Sequence, residues 1–563
     1  MKLSDFIVKE IYRITSTDKI FGYIGGMVAH LVDSIYLNKD VEMVNMITEQ
    51  GAGFSAEGYS RSTGKLGVAI ATSGPGATNL VTPIANAFFD STPMLFITGQ
   101  VNTYEYKKYD LKQCAFQETD IVSIVNPIVK YAKLVTKAED IKYELQKAIH
   151  IAMSGRKGPV LLDIPMDIQR AEIDENLLKS FDYIDTKTTI DFDCSLIEKS
   201  KRPLILVGNG VNLSNATETL RKFLNSTKIP VVQSLLGVDS VLNDYEYNMG
   251  FIGTYGNRYG NISLYNSDLL IVLGSRLDIR QTGSKLDFLK NKKIVHVDID
   301  EQELNCPALD KICVKSDIKD FLEYLNTKEL SINISEWQEY CLKIRKMFPN
   351  YEKNYNTPNL VLDSIFEKLK EGDVIISDVG QNQVWTAQSA KIKKEQRLFS
   401  SGGHGCMGYA LPASIGSAVS GRRAIVITGD GGFQMNIQEL EVLKRRKLPV
   451  KVIVLNNKNL GMVRTFQELY FDGRCASTVE DYSAPDFEAI AKAYGIGSVS
   501  IDSKNFDVEE ILSYLNSSSP VVININFEVV TQVEPRLQFG NSIEKASPEL
   551  EEEFLKELLI KEV

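Results

Sequence analysis

The residues best spaced for chemistry lie in two short stretches, VITGDGGFQMN at Val426–Asn436 and VLNNKNLGMV at Val454–Val463. The first reads as a strand that runs out through Gly429 and leaves Asp430 exposed at its carboxyl edge. Gly431 and Gly432 follow, where backbone can approach a ligand closely. The second is another strand, ending at Asn457, 27 residues after Asp430. On adjacent parallel strands these residues set a carboxylate beside an amide oxygen, and the carbonyl of Asn459 adds a third oxygen. Mg2+ takes such a sparse oxygen set and completes its octahedron with phosphate oxygens and water. Asp430 as a helix cap and Asn457 as a turn residue is the plainer alternative. The paired spacing behind two strands favours a metal–diphosphate site. A second carboxylate, Glu49, stands just after a strand and at a helix start in MITEQGAGFSAEGYSRSTG (Met46–Gly64), where acidic side chains also simply complement the helix dipole. Glu57, eight residues on, reads as structural.

Residues at strand ends need strands to position them. Short Val- and Ile-rich runs recur at Leu66–Thr72, Pro93–Thr98, Val160–Ile164, Pro203–Val207, Leu269–Leu273, Lys293–Val297, Val374–Ser377, Ala424–Thr428, Val450–Leu455 and Val521–Ile525. Runs of this kind, closed by Gly, Asp or Asn, are parallel strands buried on both faces, so the class is α/β with doubly wound sheets. Polar, aperiodic stretches divide the chain into a first unit over 1–175, a second over 194–327, a third over 359–533 and a tail over 534–563. Between the second and third, a helix is expected near Glu336–Met347 with a break at Pro349. The charged end, Ser547–Val563, is expected as a surface helix. GPVLLDI at Gly158–Ile164 and SPVVINI at Ser519–Ile525 hint that the outer units are related and the middle one is different.

Composition narrows the classes. In 563 residues, 63 Lys+Arg against 73 Asp+Glu give a net charge of −10, which argues against a nucleic-acid binder. No apolar run approaches the roughly 18 residues of a membrane span, and Met1–Asp5 opens no signal peptide. Seven scattered Cys without a CxxC pair fit reduced thiols, and a cytoplasmic protein is expected.

GDG followed by NN at this spacing resembles the signature of thiamine diphosphate (ThDP) enzymes. The resemblance implies that Asp430, Asn457 and the Asn459 carbonyl hold the Mg2+ that anchors the diphosphate. It implies that Glu49, with ATSGPGATNL at Ala71–Leu80 following, presses on the aminopyrimidine ring of a cofactor bound by another subunit. SSGGHGCMGYALPASIG at Ser400–Gly416 is similar to the ring-holding segment, with Gly405 offering its carbonyl and Met407 bending the cofactor. DVGQNQVW at Asp378–Trp385 is similar to a diphosphate loop, making Gly380, Gln381 and Asn382 candidate binders. The family's histidine is replaced by Asn382, whose amide can still donate. Gly429, Gly431, Gly432 and Met462 complete the cofactor-binding candidates.

Nearly the whole chain resembles the catalytic subunits of acetohydroxyacid synthase (acetolactate synthase), through GYIGG (Gly22–Gly26), AFQE (Ala115–Glu118), GFIGTYGN (Gly250–Asn257), GSRLDIRQTG (Gly274–Gly283) and IVHVDID (Ile294–Asp300). This implies three domains, namely pyrimidine-binding, central flavin-binding and diphosphate-binding. Arg276, Arg280 and Asp298 are then placed near FAD, although VGNGVN at Val207–Asn212 lacks the third glycine of a dinucleotide fingerprint. Gly25, Phe116 and Gln117 are implied to line the substrate channel, and Gln467–Thr478 to close over it. The implied reaction decarboxylates pyruvate and transfers the acetyl-anion equivalent to a second carbonyl compound in a homodimer or homotetramer. Nothing in the sequence specifies a regulatory subunit. Three positions depart from the family: Phe466 for tryptophan, Met166 for lysine and His404 for leucine. They leave open a ketone or nucleotide-linked keto-sugar acceptor, and a simple 2-keto acid decarboxylase is the other alternative.

Overall fold

The computed structural model describes residues 1–183, 189–305, 310–348, 358–527 and 531–560, so the break expected at Pro349 lies outside the described residues. The named strands form three six-stranded parallel sheets and one small antiparallel pair. The first sheet holds β1 (Lys19–Gly22), β2 (Glu42–Asn45), β3 (Gly67–Ala71), β4 (Met94–Gln100), β5 (Tyr131–Leu134) and β6 (Pro159–Pro165). The second holds β7 (Pro203–Val207), β8 (Val231–Gln233), β9 (Asn248–Phe251), β10 (Leu269–Leu273), β11 (Lys293–Asp298) and β12 (Ile312–Lys315). The third holds β13 (Val374–Ser377), β14 (Arg397–Ser400), β15 (Ala424–Gly429), β16 (Val450–Asn456), β17 (Gly497–Asp502) and β18 (Val521–Asn526). All ten expected strands are present, as is the helix at Ser335–Met347.

Strand order separates the units into two kinds. The first sheet runs β2-β1-β3-β4-β6-β5 and the third β14-β13-β15-β16-β18-β17, the same order counted from each unit's own first strand. The two look-alike segments are β6 and β18, the sixth strand of each. The middle sheet runs β12-β11-β10-β7-β8-β9, the order of dinucleotide-binding folds. In doubly wound sheets the ligand crevice opens beyond the strand carboxyl ends where the winding reverses. Those points lie between β1 and β3, β7 and β10, and β13 and β15.

Units one and three also pack on each other within the chain. Helix Glu49–Thr63 lies against helix Ala410–Val419 with backbones nearly touching. A Cβ on Gly416 would come within 2.6 Å of the Tyr59 nitrogen, so only glycine permits this approach. The tail differs from a free surface helix. Its helix Glu552–Leu558 buries Leu555 and Leu558, and the Leu558 carbonyl accepts from Asn266 Nδ2 at 3.0 Å, which ties the tail to the middle unit. Among the described residues no helix is long and apolar enough to cross a membrane.

Candidate active site

A cavity of about 700 Å3 joins the crevices of the middle and third sheets. From the third unit it is lined by Gly380, Gln381, Asn382, His404, Gly405, Met407, Gly429, Asp430, Gly431, Gly432, Asn457, Asn459 and Met462, and from the middle unit by Arg276, Arg280 and Asp298. The register of β15 on β16 pairs Gly429 with Leu455, so Asp430 and Asn457 leave neighbouring strands side by side. Asp430 is the first residue of helix Asp430–Met435, and at 2% exposure it is buried, not exposed as expected from the sequence. The Tyr482 hydroxyl donates to its Oδ2 at 3.0 Å, and burial pushes the carboxyl up to about 6.

The remaining geometry tests whether a cation fits. Asn457 Oδ1 lies 2.8 Å from the Asn459 carbonyl oxygen and 3.3 Å from Asp430 Oδ1. Three oxygens with lone pairs converging on one point repel one another unless a positive ion sits among them. A half-turn of the Asn457 amide would relieve the repulsion without an ion, but would set its oxygen against Gln381 Oε1, another acceptor. The oxygen-inward arrangement therefore suits a hard divalent cation such as Mg2+. Among the described residues no group of three His, Cys, Asp or Glu is placed to hold a metal ion; the oxygens gathered here belong to one carboxylate, one amide and one carbonyl.

The loops around it are held by buried polar groups. Gly380 (φ +139°) and Gly405 (φ +77°) adopt conformations that favour glycine, and a Cβ on Gly405 would meet nothing within 4 Å, so its backbone stands open to the cavity. Asp378 ties the ring-holding segment in place by accepting from Val379, Gly408 and Ala410 amides at 2.8, 2.9 and 3.1 Å. Asn382 spends its amide on the Asp378 and Ile427 carbonyls (2.6 and 3.3 Å), so its side chain is not the donor toward a ligand that its position suggested. Asp90, from the first unit, accepts from Gly402 and Gly403 amides at 3.0 and 2.6 Å, and His404 stacks on Phe89 with centroids 5.3 Å apart. In the middle unit Arg276 pairs with Asp278 at 2.8 Å. Asp298 is pushed up to about 6 by burial at the end of β11, and Gly210 packs against the Gly274 backbone at the β7/β10 crevice.

The other candidates gather elsewhere. Glu49 begins helix Glu49–Thr63, whose cap Thr48 accepts from the Gly51 amide at 3.0 Å, and Glu49 Oε2 accepts from Asn79 at 2.9 Å. It lies by the β3 turn, where a Cβ on Gly76 would come within 3.2 Å of Glu49 and 2.7 Å of Thr72. The same turn meets Gly25 through Thr72 and Gln117 through Gly74. Gln117 sits at φ +63°, a left-handed conformation unusual for a side chain of its size, and Phe116 beside it is 81% exposed. Glu49, Gly25, Phe116 and Gln117 thus occupy the β1/β3 crevice and do not line the Asp430 cavity. Phe466, half exposed on helix Gly461–Tyr470, packs on Tyr470 and Phe471. Met166 opens a short helix after β6, and neither residue reaches the cavity. Asp90, Tyr482 and the inward-facing role of Asp378 were missed in the sequence, since each acts through contacts distant in the chain.

Two outer sheets of one topology, each with polar candidates at the same reversal point, define a two-domain cofactor-binding enzyme with a dinucleotide-type insert. Three family models match the chain: thiamine pyrophosphate enzyme, N-terminal TPP binding domain, over residues 1–124; the central domain over 192–325; and the C-terminal TPP binding domain over 378–525. The acetolactate synthase isozyme 2 large subunit of Escherichia coli (strain K12) is 35% identical over 543 residues, covering 94% of this chain and 96% of that protein. The acetolactate synthase large subunit of Corynebacterium glutamicum is 37% identical over 562 residues (95% and 88%), and that of Lactococcus lactis subsp. lactis 35% over 547 (95% and 94%). The chain belongs to the ThDP-dependent acetohydroxyacid synthase family and is a ThDP-dependent carboligase of the acetolactate synthase type.

Proposed function

We propose that this enzyme decarboxylates pyruvate and transfers the two-carbon acetyl-anion equivalent to a second carbonyl compound, with Mg2+ and FAD bound beside ThDP. The observation that carries the reading is the convergence of Asp430, Asn457 and Asn459 oxygens in one cavity with Gly405 and Met407, at the reversal point of the third sheet. Asp430, Asn457 and Asn459 would hold Mg2+, and the open backbone around Gly380 and Gly429–Gly432 leaves room for the diphosphate. ThDP, when bound, supplies a nucleophilic carbon and an electron sink for the bond that is cleaved. Glu49 would exchange a proton with the aminopyrimidine ring, with Asn79 orienting its carboxylate. Gly405 would accept from the ring's amine, Met407 would fix its bend, and Gln117 would hydrogen-bond a substrate oxygen. Arg276, Arg280 and Asp298 support FAD in the same cavity, where the middle sheet has the dinucleotide order.

Because Glu49 lies outside the Asp430 cavity of its own chain, the working unit is a homodimer or a tetramer of dimers, each cofactor served by Glu49 from one chain and Asp430 from the other. The side chain of His404 favours a second reading of the acceptor. The exposed imidazole of His404 at the cavity wall offers hydrogen bonds to a polar ketone, including a nucleotide-linked keto-sugar. Incubating the enzyme with pyruvate alone, with 2-ketobutyrate and with cyclic ketones, then identifying products, tests both. An acyloin is expected. Acetaldehyde and carbon dioxide as the only products would make the enzyme a plain decarboxylase.

A further inference from the structure

The Asn457 amide is the least constrained of the three oxygen donors by chemistry alone, since a half-turn exchanges its oxygen for an NH2. In the structure a directional chain of bonds fixes it. Asn457 Nδ2 donates to Thr531 Oγ1 at 2.8 Å and to Gln381 Oε1 at 3.2 Å. The Thr531 hydroxyl, accepting from Asn457, donates its own hydrogen to Gln381 Oε1 at 3.0 Å. Gln381 is prevented from turning over because its Nε2 donates to the Thr531 carbonyl at 3.2 Å. Arg464, 3% exposed, donates to that same carbonyl, and its Nη1 also reaches Asn459 Oδ1 at 3.2 Å. With that chain in place Asn457 Oδ1 points at Asp430 and the Asn459 carbonyl, and the opposite orientation sets it 3.2 Å from Gln381 Oε1, a second acceptor. Thr531 stands 74 residues beyond Asn457, outside every motif in the sequence.

We propose that Thr531, locked by Gln381 and Arg464, is a positioning residue that holds the Asn457 amide oxygen-inward and so sets the affinity of the divalent metal site. The inference rests on the metal reading above. Outer-shell partners of metal ligands are worth about 10- to 100-fold in metal affinity. A hydroxyl that both accepts from one amide and donates to the next cannot be replaced by an isosteric methyl.

The test titrates Mn2+ against the purified full chain at fixed ThDP, following free Mn2+ by electron paramagnetic resonance, in the parent, Thr531→Val, Thr531→Ser and Asp430→Ala, with thermal midpoints as a check of folding. Thr531→Val should bind Mn2+ about 10-fold or more weakly, Thr531→Ser within twofold of the parent, and excess metal should restore turnover to Thr531→Val. Thr531→Val binding Mn2+ within twofold of the parent would overturn the inference while leaving the metal reading intact. No difference between parent and Asp430→Ala would overturn both. Should Thr531→Val fail to fold, Arg464→Met takes its place, with the same expected loss and the same twofold limit.

Discussion

The guanidinium of Arg61 lies 3.3 Å from both Glu57 and Asp90, donates to the Ser400 carbonyl at 2.8 Å, and covers the Phe399 ring at 4.7 Å. Glu57 is fully buried and accepts from Asn86 and Thr92 at 2.7 and 3.2 Å. One cation therefore sits between two buried carboxyls, one of which, Asp90, grips the loop leading to His404 and Gly405. Removing it strands both in a low-dielectric site, and Arg61→Met should destabilise the protein by about 3–5 kcal/mol. Calorimetric midpoints within a degree of the parent would show that the carboxyls rearrange at no cost. At this scale the sequence was partly readable. Asp430 and Asn457 stand out because their spacing follows a local strand-to-loop grammar, and Glu57, which reads as structural, is fully buried among Arg61, Asn86 and Thr92. Asp90, Thr531 and Tyr482 carry no such grammar, since their partners come from other units or from segments tens of residues away.

Among the elements, helix Glu49–Thr63 is held at its start from across the chain. Glu439, fully buried in the third unit, accepts from the Ile47 and Thr48 amides at 3.2 Å each, immediately before Glu49. Burial pushes its carboxyl up to about 7, against an ordinary value of 4.5. The folded protein thus holds a proton that the unfolded chain releases, so stability is lost as pH rises from about 4.5 to about 7, by about 3 kcal/mol at most. Glu439→Gln removes this dependence. The midpoint of the variant relative to the parent should improve between pH 5 and pH 8, and parallel curves would refute the assignment. The elements that the sequence hid have a common cause. Of the six edge strands only β2 is expected from the sequence, as the strand before Glu49; β5, β9, β12, β14 and β17 escaped notice, with β1 and β8 beside edges. An edge strand has one partner and one weakly covered side, so β17, Gly-Ser-Val-Ser-Ile-Asp, buries no residue fully and leaves no apolar run to see, and β12 is only four residues long with Val314 alone buried.

For the whole molecule, one topology used twice puts the proposed metal ligands at the β13/β15 crevice and Glu49 at the matching β1/β3 crevice, without bringing them together in one cavity of the chain. Glu49→Gln and Asp430→Asn should each be inactive alone. After mixing and subunit exchange, hybrids carry one doubly defective site and one intact site, so about a quarter of parent activity should return. No recovery, with exchange verified, would place both residues in a site made by a single chain. On the proposed reading a solitary chain would carry both half-sites and complete neither. Dilution would then behave as an inhibitor, and a newly made copy would stay silent until it met another.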